Sequence, residues 1–116
     1  MNITLINPRL RYWSPTVVPP LGLTYVASAL DRYNTVKIVD MNASKISDKR
    51  LEEIGKESHI VGITGMITEY NEVKRIASLV KQYGHNIVVA GGALATTFPN
   101  ELARLTQIDY VVVGEG

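Results

Sequence analysis

The chain has 116 residues, enough for one domain with a single sizeable core. Hydrophobic residues make up 46% and charged residues 20%, a globular balance that argues against a disordered chain. The formal net charge of +1 makes no electrostatic case for nucleic acid or an anionic membrane. Cysteine is absent, which excludes a disulfide framework, a thiol nucleophile and a cysteine-held zinc or iron–sulfur site within these residues. The start, Met1-Asn2-Ile3-Thr4-Leu5-Ile6-Asn7-Pro8, lacks the basic and apolar parts of a signal peptide, and no apolar run approaches the ~20 residues of a membrane span. These features predict a soluble cytoplasmic domain.

In chain order, the apolar pattern switches repeatedly between short β-rich runs and helical spacing. Ile3 to Ile6 is the first strand. Pro19-Pro20 opens a helix with Leu23, Val26, Ala27, Leu30 and Tyr33 on one face, proline being at home in a first helical turn; Asn34 ends it. Val36 to Val39 is the second strand, stopped by Asp40. A weaker amphipathic helix follows from Asp48 to Glu57, with Leu51 and Ile54 as its apolar contacts. Ile60 to Thr64 is the third strand, apolar enough to be covered on both faces. Thr68 is the expected N-cap of the next helix, whose stripe is Val73, Ile76, Ala77 and Val80, and Gly84 the expected left-handed C-cap. Ile87 to Ala90 is the fourth strand, Pro99 to Leu105 a short helix, and Tyr110 to Val113 the fifth strand.

Five strands and four helices in this alternation predict an α/β, flavodoxin-like (Rossmann-type) three-layer sandwich. Right-handed strand–helix–strand crossovers make the sheet parallel and helix-covered, and five strands favour the flavodoxin-like order 2-1-3-4-5. Such sheets bind ligands beyond the carboxyl ends of the strands, where strand order reverses. Four loops reach that edge. Asn7 to Val18 is longer than a usual βα connection and carries Arg9, Arg11, Tyr12 and Trp13, either a cover for a ligand or a packing loop. Thr64-Gly65-Met66-Ile67-Thr68 joins a hydroxyl to a glycine that permits close approach. Gly91-Gly92-Ala93-Leu94-Ala95-Thr96 is the sharpest local signal: adjacent glycines after an apolar strand mean positive φ or room for a flat ligand. Neither phosphate-loop spacing occurs there. The last, Gly114-Glu115-Gly116, sets a carboxylate between glycines.

Other residues carry less. His59 and His85 precede strands and lack metal-ligand neighbours. Asp40 either caps its own turn or bonds a ligand. No catalytic triad or close carboxylate pair is readable from spacing.

Pro19-Pro20-Leu21-Gly22-Leu23, Val36-Lys37-Ile38-Val39-Asp40, Ile60-Val61-Gly62-Ile63-Thr64, Val88-Val89-Ala90-Gly91-Gly92 and Asp109 to Gly116 follow one another in an order that resembles the N-terminal cobalamin (vitamin B12)-binding domain of cobalamin-dependent radical S-adenosylmethionine enzymes. The resemblance covers nearly the whole chain. It implies cobalamin as cofactor, bound along Asn7, Pro8, Arg9, Thr64, Gly65, Met66, Gly91, Gly92, Ala93, Thr96, Gly114 and Glu115, with no catalytic residue in the segment. It implies that residues 1–116 open a longer protein, partnered with a C-terminal radical S-adenosylmethionine barrel that holds the iron–sulfur cluster and S-adenosylmethionine. The D-x-H-x-x-G motif that gives cobalt a histidine in other cobalamin proteins is replaced by Asn7-Pro8-Arg9-Leu10-Arg11, which implies base-off binding without a protein ligand. Where the family often has G-G-P-H-A-T, this chain has Gly91-Gly92-Ala93-Leu94-Ala95-Thr96. The alternative is a flavodoxin-like docking domain that has lost the cofactor.

Overall fold

Each short β-branched run of the sequence becomes a strand, and each stretch of helical period a helix. The computed structural model describes residues 1–9 and 21–114, with the backbone alone for 21–25. Its elements are β1 (Asn2–Asn7), α1 (Leu21–Leu30), β2 (Thr35–Asp40), α2 (Asp48–Glu57), β3 (Ile60–Thr64), a 3-10 turn (Ile67–Glu69), α3 (Tyr70–Lys81), β4 (Ile87–Gly91), α4 (Gly92–Thr97), α5 (Pro99–Ala103) and β5 (Tyr110–Val111). All strand pairs are parallel and the order is β2-β1-β3-β4-β5, as the alternation predicts. The sequence positions Arg11, Tyr12, Trp13, Pro19, Pro20 and Glu115 lie outside the described residues.

Several local expectations are corrected. The stretch after β4 is not an open loop: Gly92–Thr97 is a helix, so five helices are described rather than four. Ala93, Leu94 and Ala95 are strong helix formers, and two leading glycines hid that signal. Thr68 does not cap α3; it lies inside the 3-10 turn, and Glu69 precedes the helix instead. Gly84 is not left-handed, since the positive-φ glycines among the described residues are Gly92 and Gly114. A side chain at Gly84 would instead press on Asn86 Nδ2 and the Gly55 carbonyl, so close approach explains the glycine. Tyr33 is 79% exposed and falls beyond α1, which ends at Leu30 where the Asn34 amide caps the carbonyl. The fifth strand pairs only at Tyr110 and Val111, and the last helix stops at Ala103.

The two faces of the sheet are finished differently. Register places Ile6, Val61, Ile63, Val88 and Ala90 on one face. They pack there with Leu51 and Ile54 of α2, Val73, Ile76 and Val80 of α3, Leu94 of α4 and Leu102 of α5. Burying each such side chain contributes roughly 1.5–3 kcal/mol. α2 and α3 approach so closely that a Cβ at Gly55 would collide with the Val80 carbonyl. On the other face α1 packs on β1 and β2, and Ile3 and Leu5 are buried. Beyond them Ile87, Tyr110 and Val112 are 41%, 63% and 37% exposed, so that half of a parallel sheet is left uncovered by the described residues.

Candidate functional site

Parallel strands bring their carboxyl ends to one edge, where Asn7, Asp40, Thr64, Gly91 and the turn after β5 come together. The first of these ends is closed by a polar staple. The Asp40 carboxylate accepts from Asn7 Nδ2 at 3.1 Å and from the Asn42 backbone at 3.1 Å, while Asn42 Nδ2 donates to the Pro8 carbonyl at 2.9 Å. Asp40 therefore caps its own turn and joins β1 to β2. Pro8 is buried, and Arg9 is exposed beside it.

The two central loops are built as one piece. The Leu94 N–H donates to the Gly65 carbonyl at 2.9 Å, which ties the start of α4 to the end of β3. A Cβ on Gly65 would meet Val73 Cγ2 at 2.8 Å, and one on Gly92 would strike Thr64 Oγ1. Gly92 has φ +84, so glycine is required there twice over. Gly65 and Gly92 thus have packing reasons of their own.

Gly91 does not. Its backbone is extended (φ −145, ψ −169), a conformation open to any residue, and a Cβ there meets nothing within 4 Å. Neither conformation nor a neighbouring atom calls for glycine, and the room it leaves lies at the end of a central strand. Thr96 is exposed, but its hydroxyl is engaged: it donates to the Gly92 carbonyl at 3.1 Å and accepts from Gly114 N–H at 3.0 Å. That bond holds the φ +86 turn at Gly114 against α4. Around this seat Ala93 is exposed, and Met66, Ile67 and Val113 are 58%, 51% and 58% exposed, an apolar lip.

One residue of the edge escaped the sequence reading. Glu69 is 3% exposed, its Oε2 accepts the Met66 N–H at 3.0 Å, and its own N–H donates to the Met66 carbonyl at 3.0 Å. Its Oε1 is buried with no hydrogen-bond partner. The Glu three residues after a turn residue is half of a capping box, but Met66 lacks the hydroxyl that makes the motif readable.

Both histidines are at the opposite edge. His59 accepts the Asn2 N–H on Nδ1 at 2.9 Å just before β3, and His85 precedes β4. Among the described residues no group of three or more His, Cys, Asp or Glu side chains can hold a metal ion. The amino edge also carries the shifted carboxylate of the molecule. Lys81 Nζ at 2.6 Å, joined by the Val88 N–H at 2.8 Å, holds the Asp109 carboxyl below its ordinary range against partial desolvation.

The fold and this edge define a class: a doubly wound α/β domain that offers a shallow, glycine-floored, apolar-lipped seat rather than a set of reacting side chains. The chain belongs to the B12 binding domain family, whose model matches residues 14–116. Among similar proteins, an uncharacterized methyltransferase of Pyrococcus horikoshii is 35% identical over 124 residues, matching 100% of this chain and 27% of its own length. The cytidylyl-2-hydroxyethylphosphonate methyltransferase of Streptomyces wedmorensis is 28% identical over 142 residues, matching 99% of this chain and 26% of its own. In fold, the chain is similar to the radical S-adenosylmethionine methyltransferase TsrM of Kitasatospora setae. The TM-score is 0.69 at 22% identity, over 84% of this chain and 19% of that one, in the TsrM structure with cobalamin and a [4Fe-4S] cluster bound. The chain thus spans about a quarter of the curated relatives it matches.

The residues present fit a flat cofactor rimmed with amides. Gly91 leaves a cradle that a Cβ would fill, and the lip supplies apolar contact. No helix of the described residues is long and apolar enough to cross a membrane.

Proposed function

We propose that this chain is the cobalamin-holding domain of a cobalamin-dependent radical S-adenosylmethionine methyltransferase, and that it holds the cofactor base-off, with no histidine on cobalt. The observation that carries this reading is the placement of the histidines. The chain has only His59 and His85. Both lie at the amino edge, a strand's length from the seat, about 16 Å at ~3.3 Å per residue. The first loop starts instead with a stapled Asn7 and a buried Pro8, neither able to ligate cobalt.

Bound cobalamin would supply a cobalt centre able to carry a methyl group, and its reactivity would be the cofactor's own. This chain's residues would do the rest. Gly91 would let the macrocycle lie against the backbone, and Met66, Ile67 and Val113 would keep water from its face. Thr96 would hold the Gly114 turn in place against α4. The iron–sulfur cluster and S-adenosylmethionine would be held by a separate barrel of a longer protein, a reading supported by TsrM, which carries a [4Fe-4S] cluster and of which this chain matches 19%.

The test is a titration of the folded chain with hydroxocobalamin, followed by reduction and electron paramagnetic resonance. The expected result is binding at micromolar concentration with no nitrogen splitting on the cobalt lines. A three-line nitrogen pattern would sink the base-off assignment. A second reading, a docking domain without cofactor, is favoured by the uncovered apolar half-face at Ile87, Tyr110 and Val112. A silent titration by a folded chain would decide for it.

A further inference from the structure

Two groups stand out because no described residue accounts for them: the open floor at Gly91, already used above, and the second oxygen of Glu69. Glu69 is 3% exposed, so its carboxylate has lost most of its water. A buried carboxylate oxygen without a donor is costly, and such a group calls for an explanation. The protein has met half of the demand. Oε2 is fixed at 3.0 Å on Met66 N–H, and Oε1 is buried with nothing. The other buried orphan among the described residues, Asn86 Oδ1, is a different case. Its group is neutral, and its amide already donates to the Gly55 and Val80 carbonyls at 2.7 and 2.9 Å.

The position of Glu69 matters as much as its deficit. Because Oε2 holds the Met66 N–H, the free oxygen lies within about 5 Å of the backbone that forms the lip of the seat, given hydrogen-bond lengths near 3 Å. Glu69 itself ends the 3-10 turn Ile67–Glu69, and Ile67 and the preceding Met66 are more than half exposed. A 3-10 turn of three residues is a weak element that a ligand can displace. No lysine or arginine bonds to Glu69. Among the described residues nothing supplies that donor, so Oε1 is open to an N–H from a ligand.

We infer that Glu69 is a specificity-determining residue of this seat: when the 3-10 turn shifts, Oε1 accepts an N–H from a carboxamide side chain of the bound ligand. The assignment rests on the cofactor reading above and deepens it. Cobalamin carries carboxamides around its ring, each an N–H donor, and a carboxylate selects a donor where an amide would accept either polarity. A ligand that presents a carboxylate at that point meets an unshielded like charge in a partly desolvated place.

The probe is a set of hydroxocobalamin derivatives, each with one peripheral carboxamide hydrolysed to a carboxylate, titrated against the folded chain and read by visible absorbance. The expected result is that one isomer binds the wild-type chain at least ~10-fold more weakly than hydroxocobalamin, in line with the weight of a charge-assisted hydrogen bond. Glu69→Gln, which keeps an acceptor for Met66 N–H, is expected to remove that penalty for the same isomer while circular dichroism is unchanged. Hydrogen exchange of the Met66 amide should also change on binding. If all isomers bind the wild-type chain within twofold of hydroxocobalamin, the assignment of Glu69 fails, whatever the variant does. If the isomer penalty survives Glu69→Gln, it fails too. If the wild-type chain binds no hydroxocobalamin at all, the cofactor reading falls and this one with it, an outcome distinct from the other two.

Discussion

The two edges of the sheet are built from the same strands and to opposite ends. At the amino edge the polar groups are tied down: Asn86 donates to the Gly55 and Val80 carbonyls, Lys81 and Val88 N–H converge on Asp109, and Thr4 Oγ1 is paired with Ser58 Oγ at 2.8 Å. At the carboxyl edge the β1 and β2 ends are stapled, but the centre is left unfinished. There Gly91 opens onto nothing, the lip is apolar and exposed, and Glu69 keeps an oxygen without a donor. The difference teaches how one small domain divides its labour. Charges and backbone carbonyls are paired at the amino edge, where Asn86 Oδ1 is the one buried side-chain atom of the described residues left over, whereas the carboxyl edge combines an unpaired Glu69 oxygen with an open backbone floor.

Glycine gives the harshest way to break that comparison. Gly55→Ala, deep at the α2–α3 crossing, drives a Cβ into the Val80 carbonyl, and backbone on both sides leaves it nowhere to go. The expected loss is about 3 kcal/mol or more of unfolding free energy in a urea titration. Asn86→Ala comes next. It strips two buried carbonyls of their donor and should cost about 2 kcal/mol by the same measurement, with hydroxocobalamin affinity unmoved once the folded fraction is allowed for.

The Lys81–Asp109 pair sharpens the contrast through pH. Asp109 has its folded pKa lowered, so its contribution is present above the ordinary carboxylate pKa and is lost as pH falls through the lowered value. The pair is about one-third exposed, which limits it to roughly 0.5–1 kcal/mol. Asp109→Asn should therefore weaken the domain slightly at neutral pH and flatten its stability profile below about pH 4, read from thermal melts across acid buffers. A variant whose melting still falls as steeply as the wild type in acid would show that other groups carry that slope.

Gly91→Ala has the smallest expected effect on folding. The added Cβ meets no atom and the backbone is already extended, so stability should stay within about 0.5 kcal/mol of wild type or rise. Hydroxocobalamin affinity should nevertheless drop about tenfold, because the methyl enters the cradle. Unchanged affinity would move the seat away from Gly91. Gly55, inside a helix and pressed on Val80, and Gly91, extended and open, set the two limits of that comparison.

The fold was legible in the sequence because it rests on period and order. The bounds of α2 and β3 follow from residues in the primary sequence, right-handed crossovers make the sheet parallel, and five strands favour the order that is observed. The site was legible only as a region. Gly91-Gly92 reads as one motif, but its halves differ: Gly92 is demanded by Thr64 and a positive φ, whereas none of the described residues demands glycine at Gly91. A sequence shows that a side chain is missing; it cannot show which neighbours would have met it. Glu69 was missed for a related reason. Burial of a carboxylate depends on what folds over it, and the half capping box that positions it carries no hydroxyl signature.

Residue order alone thus determined the alternation of strands and helices and the parallel sheet they form, since these follow from local period and chain handedness. Only the tertiary structure decided which glycine is open, which threonine hydroxyl is already spent, and where a buried acceptor stands unpaired. Those are properties of atoms brought together from β3, α3, α4 and β5, and no single segment contains them.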